Sequence, residues 1–85
     1  MFGLISQLRR AAVSIPSNIA EGRGRSTRKD FIQFLHITQG SLAELETQLV
    51  LAYELYGISI EESVALSHEI GRMLSSMINK LKSPQ

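Results

Sequence analysis

Two histidines, a Gly-Arg-Gly step and a cluster of bases are the residues of this chain with chemistry to offer. His36 and His68 are of metal-ligand type. A di-iron bundle takes Glu-x-x-His motifs from facing helices, but the residues three before these histidines are Gln33 and Ala65. Both are therefore expected to be surface or boundary side chains. No cysteine is available to ligate, attack or cross-link, and there is no Gly-x-Ser-x-Gly nucleophile elbow. Gly22-Arg23-Gly24 precedes a helical pattern but follows no strand, so it is no dinucleotide fingerprint. Its backbone amides and arginines can still hold a phosphate. No catalytic residue, metal or cofactor is expected, and the chain does not read as an enzyme.

The bases are unevenly placed. Residues 1–30 hold Arg9, Arg10, Arg23, Arg25, Arg28 and Lys29 against Glu21 and Asp30, a net +4. Residues 31–62 hold five glutamates and no base, and residues 63–85 return to +2, for a total of +1. A basic end and an acidic middle suit nucleic-acid binding, head-to-tail packing between subunits, or simply solvated helix faces. Phe31 and Phe34 lie on apolar stripes, and Tyr53 and Tyr56 are far along the chain from the bases. Base stacking is thus not indicated, and any binding of RNA or DNA should be electrostatic and strongly salt-dependent.

Three helices must position these groups, over about residues 3–21, 27–56 and 60–82 of a single domain, 1–85. The first carries Leu4, Leu8, Ala11, Ala12, Ile15 and Ile19 at helical spacing. Pro16 sits inside it, which predicts one kinked helix or two short ones meeting at Ser14-Ile15-Pro16. Asn18 is expected to bond backbone freed by Pro16, Glu21 to pair with an arginine, and Gly22 to end the helix in a left-handed conformation. Thr27 or Ser26 can cap the second helix, with Asp30 completing a capping box.

The second helix has a heptad stripe, Phe31, Leu35, Thr38, Leu42, Leu45, Leu49, Ala52 and Tyr56. A second stripe lies beside it: Phe34, Ile37, Ser41, Gln48, Leu51 and Leu55. A helix with two apolar stripes needs cover on more than one side, and two neighbours do not easily give it. Of the acids on this helix, Glu44 is expected to be the one partly buried. Gly57 ends the helix. Ser59 then caps the third helix, with Glu62 in a second capping box. The third stripe is Leu66, Ile70, Met73, Met77 and Leu81, with Val64, Leu74 and Ile78 beside it. Lys80 and Lys82 fall in its last turn, where they favour the negative end of the helix dipole. The fold class is all-α, an antiparallel up-down helical bundle. A core this small supplies only about 3–5 kcal/mol, so association with other chains is the obvious further source of stability. No apolar run reaches the roughly 18 residues of a membrane span, and no signal peptide is apparent, so a cytoplasmic location is expected.

QLRRAAVSIPSNIAEGRGR, then KDFIQFL, then GSLAELETQLVLA, resembles the four-helix bundle family first noted as reading frames in intervening sequences of bacterial large-subunit ribosomal RNA genes. The same family is similar to the accessory protein of diversity-generating retroelements. The resemblance covers nearly the whole chain. It implies that a further helix precedes Phe2-Gly3-Leu4, so this chain corresponds to the family bundle lacking its first helix. It also implies a homo-oligomer, with a five-membered ring the familiar arrangement and a dimer that pairs open faces the alternative. A basic surface proposed to bind nucleic acid is implied too, with Arg9, Arg10, Arg23, Arg25, Arg28 and Lys29 as the candidate phosphate contacts, as is a reverse transcriptase partner in the retroelement branch. On this basis the chain is expected to be a non-enzymatic, oligomeric nucleic-acid-binding or scaffold protein. The alternative is a purely structural protein-interaction module.

Overall fold

The computed structural model describes residues 1–84. They form three helices: α1, Phe2–Arg23; α2, Arg28–Tyr56; and α3, Glu61–Lys82. The connections between them are four residues each, Gly24 to Thr27 and Gly57 to Ile60. So short a link returns the chain antiparallel. Ser14 meets Ser41 and Gly22 meets Phe34 between α1 and α2, and Ser67 meets Glu46 between α2 and α3.

The section of the bundle is L-shaped, with α2 at the bend. No Cα atom of α1 comes within 8 Å of one in α3. The molecule measures 48 × 20 × 13 Å. Three mutually touching helices would give two nearly equal short axes. Neighbours about 8–10 Å apart at three corners of a square put the outer two on a diagonal and give the unequal pair seen. The radius of gyration, 14.4 Å, exceeds the roughly 12 Å of a compact chain of this length. The all-α, up-down class read from the stripes is therefore found, as a layer open on one side.

Packing explains where the glycines sit. Gly22 does not stop α1; it is buried inside the helix, which runs on to Arg23. A Cβ there would lie 2.7 Å from the Phe34 Cβ and 2.9 Å from the Phe31 Cδ1. The glycine is needed for close approach, not for a left-handed cap. The helix ends instead on Gly24, whose φ of −79° is right-handed, and its N–H bonds Ala20 O at 3.2 Å. At Gly57 the expected left-handed stop is present, with φ 65°.

Pro16 lies within a single α1 rather than between two helices. Its missing N–H leaves the Ala12 carbonyl without a helical partner. Asn18 does reinforce the turn, but through Ser14: its Nδ2 donates to the Ser14 carbonyl at 2.8 Å and to Ser14 Oγ at 2.9 Å. Thr27 caps α2 by accepting from Asp30 N at 3.1 Å. Ser59 caps nothing; α3 begins after Ile60, without a side-chain cap bond.

The core is Ile15, Leu35, Leu42, Leu74 and Ile78, with Phe31, Ile32, Ile70, Met77 and Leu81 packed against it. α3 is rotated from the stripe expected of it. Leu74, Ile78 and Ser67 face α2, while Leu66 and Met73 stay 57% and 59% exposed. On that inward face Ser67 Oγ lies 2.8 Å from the Val64 carbonyl and 3.1 Å from Glu46 Oε2, its one proton shared between them. His68 Nε2 reaches the same Glu46 oxygen at 3.2 Å. Glu46, not Glu44, is consequently the half-buried acid of α2. On the second stripe Gln48 is buried, whereas Ile37, Leu51 and Leu55 remain exposed. Leu8 and Ala12 of α1, Leu45 and Leu49 of α2, and Leu66 and Ile70 of α3 line an apolar groove of about 380 Å³ on the open side.

Candidate nucleic-acid interface

The up-down path brings three element ends together. α1 finishes, α2 starts and α3 finishes at one end of the rod. Close packing at Gly22 seats the last turn of α1 on Phe31 and Phe34, and Leu81 packs into the same core, which brings in the last turn of α3. Arg23, Arg25, Arg28 and Lys29 therefore share this end with Lys80 and Lys82. All six are exposed. Against them stand only Glu21 and Asp30, so the end carries +4. Arg25 is partly spoken for: its Nη2 lies 3.4 Å from Glu21 Oε2. That is the arginine pairing expected of Glu21. Among the described residues no other base of this end has an acid within 4.0 Å.

The opposite end holds Glu54, Glu61 and Glu62. Between the ends, Arg9, Arg10 and Arg72 balance Glu44, Glu46 and Glu69. The chain's small net charge thus conceals a charged rod, basic at one tip and acidic at the other.

Of the six bases singled out in the sequence, four are gathered at the tip. Arg9 and Arg10 are not. They lie about 20 Å back along α1, at 1.5 Å per residue, and line a separate groove with Val13, Ser14, Ser41 and Glu44. Lys80 and Lys82, read in the sequence only as dipole-complementing residues, are the additions. The signal was available: with three antiparallel helices, the end of the third must return to the first turn.

The tip suits phosphate oxygens better than bases. The Arg25 guanidinium sits over the Phe34 ring, 4.9 Å from its centroid, which occupies the aromatic face nearest the bases. Phe31 is half-buried. Tyr53 and Tyr56 are at the far end of α2. The two histidines have ordinary protein partners. His36 Nδ1 lies 2.9 Å from Gln39 Oε1, and His68 is the neighbour of Glu46. Among the described residues no group of three or more His, Cys, Asp or Glu is placed to hold a metal ion. No helix among them is long and apolar enough to cross a membrane.

Comparison with known proteins gives one family. The model of the 23S rRNA-intervening sequence protein family matches residues 1–80. A search of the curated proteins found no match. With all but the last five residues covered, the chain belongs to the 23S rRNA-intervening sequence protein family.

Proposed function

Taking that family as the premise, we propose that the protein is a non-enzymatic, self-associating accessory protein whose basic tip holds the phosphates of a nucleic acid. The observation that carries this reading is the convergence of six exposed bases from three helix ends, with one internal ion pair among them. Such a patch binds polyanions through counterion release, with little regard for sequence. A gel-shift or anisotropy titration at low and moderate salt tests it. Arg23→Gln, Arg28→Gln and Lys29→Gln should each reduce the slope of log K against log salt by about 0.7–0.9, the share of one neutralised phosphate. Absence of RNA and DNA binding even at low salt would overturn the reading.

The second reading, a protein-interaction module without nucleic acid, is favoured by the open apolar groove and by Leu66 and Met73 beside it. Here the basic tip pairs with the acidic tip of a neighbour. Arg23→Glu with Arg25→Glu would then change the mass measured by light scattering, while nucleic-acid binding stays at background.

A further inference from the structure

The flank of the rod between α2 and α3 carries a second polar feature. A groove of about 870 Å³ runs there from Glu46 to Ser83. Arg72, Ser76, Asn79 and Ser83 follow one another along it at spacings of three and four residues, one face of α3. Gly71 permits the close contact beneath, where a Cβ would sit 3.4 Å from Leu42 Cδ2. The only acid lining the groove is Glu46, which Ser67 and His68 already engage. Beyond Gly71 the lining holds two cations, the Arg72 guanidinium and the Lys80 ammonium, with neutral hydroxyls and one amide and no acid; the Ser83 hydroxyl already donates to the Asn79 carbonyl at 2.9 Å. Glu69 is one turn before Arg72, but it neither lines the groove nor comes within 4.0 Å of that arginine. Lys80 belongs both to this groove and to the basic tip, which makes the two surfaces continuous.

We infer that the α2–α3 groove is a backbone track for single-stranded nucleic acid leading off the basic tip, with Arg72 its outlying phosphate contact. The inference rests on the proposed function. Arg72 lies about 12 Å along α3 from Lys80 at 1.5 Å per residue. The track runs along the rod at Arg72 and turns across its end at Lys80. A duplex, stiff over about 150 base pairs, cannot follow that turn, whereas a single strand can. No Phe, Tyr or Trp lines the groove, and its one imidazole, His68, is held on Glu46, so the contacts are to phosphate and sugar and carry no sequence preference.

The test uses the full chain and two oligouridylate probes, one covering only the tip and one long enough to reach Arg72. Arg72→Gln should lower the salt slope by about 0.7 with the long probe, the value of one single-strand phosphate contact, and leave the short probe unchanged. Arg72→Lys should restore the slope. Because the chain has no cysteine, Ser76→Cys can carry a photo-crosslinker at a unique site. It should capture the long probe, while Ser17→Cys on exposed α1 should not. A wild type that binds the long probe with an unchanged slope in Arg72→Gln and no crosslink at position 76 overturns the track and spares the tip. A wild type that binds neither probe overturns both. Circular dichroism checks that the exposed substitutions leave the helices intact.

Discussion

Gly22 and Gly40 should answer the same substitution with opposite signs. Both lie inside helices, so alanine gains up to about 1 kcal/mol of helix propensity at either site. At Gly40 the new methyl would meet nothing within 4 Å, and the full gain of about 0.5–1 kcal/mol is expected. At Gly22 it would meet the Phe34 Cβ at 2.7 Å and the Phe31 Cδ1 at 2.9 Å. The nearer atom is the root of its side chain, fixed to the α2 backbone, so a rotamer change cannot relieve it. α1 must lift away from α2. Overpacking of this kind costs about 1–3 kcal/mol, and the net for Gly22→Ala is a loss of up to about 2.5 kcal/mol after a propensity gain of about 0.5–1 kcal/mol. At about 4–8 °C per kcal/mol for a domain of this size, thermal unfolding should show Gly40→Ala above wild type and Gly22→Ala below it. If Gly22→Ala melts at or above Gly40→Ala, the close approach of α1 to Phe31 and Phe34 is wrong, and so is the seating of Arg23 at the tip.

Three other substitutions probe separate features. Thr27→Ala removes the acceptor for Asp30 N and should cost about 1 kcal/mol in denaturant unfolding. Gln48 buries an Oε1 with no partner among the described residues, while its Nε2 donates to Glu44 at 3.2 Å. Gln48→Leu removes a stranded acceptor worth about 1–3 kcal/mol against one bond of about 1 kcal/mol, so stability should hold or rise. Leu66→Glu changes a side chain that is 57% exposed. It should leave monomer stability within about 0.5 kcal/mol and lower the assembled mass in light scattering if copies associate through the open groove.

The helices and their class were legible because periodicity reports burial: Leu35, Leu42 and Ala52 lie on the heptad stripe of α2 and are buried, whereas on α3 the buried Leu74 and Ile78 stand beside the expected stripe rather than on it. Two kinds of feature were not. A single sequence shows that Gly22 is a glycine, but not which aromatic rings press on it, so a helix stop is the natural expectation where a packing role applies. Polar burial was hidden for the same reason. Ser67 faces inward, where it meets Glu46 across the helix pair, on the face of α3 that buries Leu74 and Ile78, while Leu66 and Met73 face out. The site was half legible. Arg23, Arg25, Arg28 and Lys29 are neighbours in the chain, but Lys80 and Lys82 join them only through the returning path of α3. Arg9 and Arg10 carry the same charge by composition, and helix length alone removes them from the tip.

The two tips act as independent sites, and this separates the readings of self-association. They are nearly the length of the 48 Å rod apart, several times the Debye length of about 8 Å at physiological salt. A basic tip therefore feels a neighbour's acidic tip only in contact, and a nucleic acid placed there must displace it. In a head-to-tail assembly, adding oligouridylate should dissolve the contacts and reduce the protein mass per particle, and salt alone should do the same. An assembly held through Leu8, Leu45, Leu49, Leu66 and Ile70 uses apolar area that neither reagent weakens. Its particles should keep their protein mass and gain the mass of the bound strand. Light scattering with a labelled strand distinguishes the cases. Loss of assembly on adding the strand, with persistence in high salt alone, would contradict both arrangements.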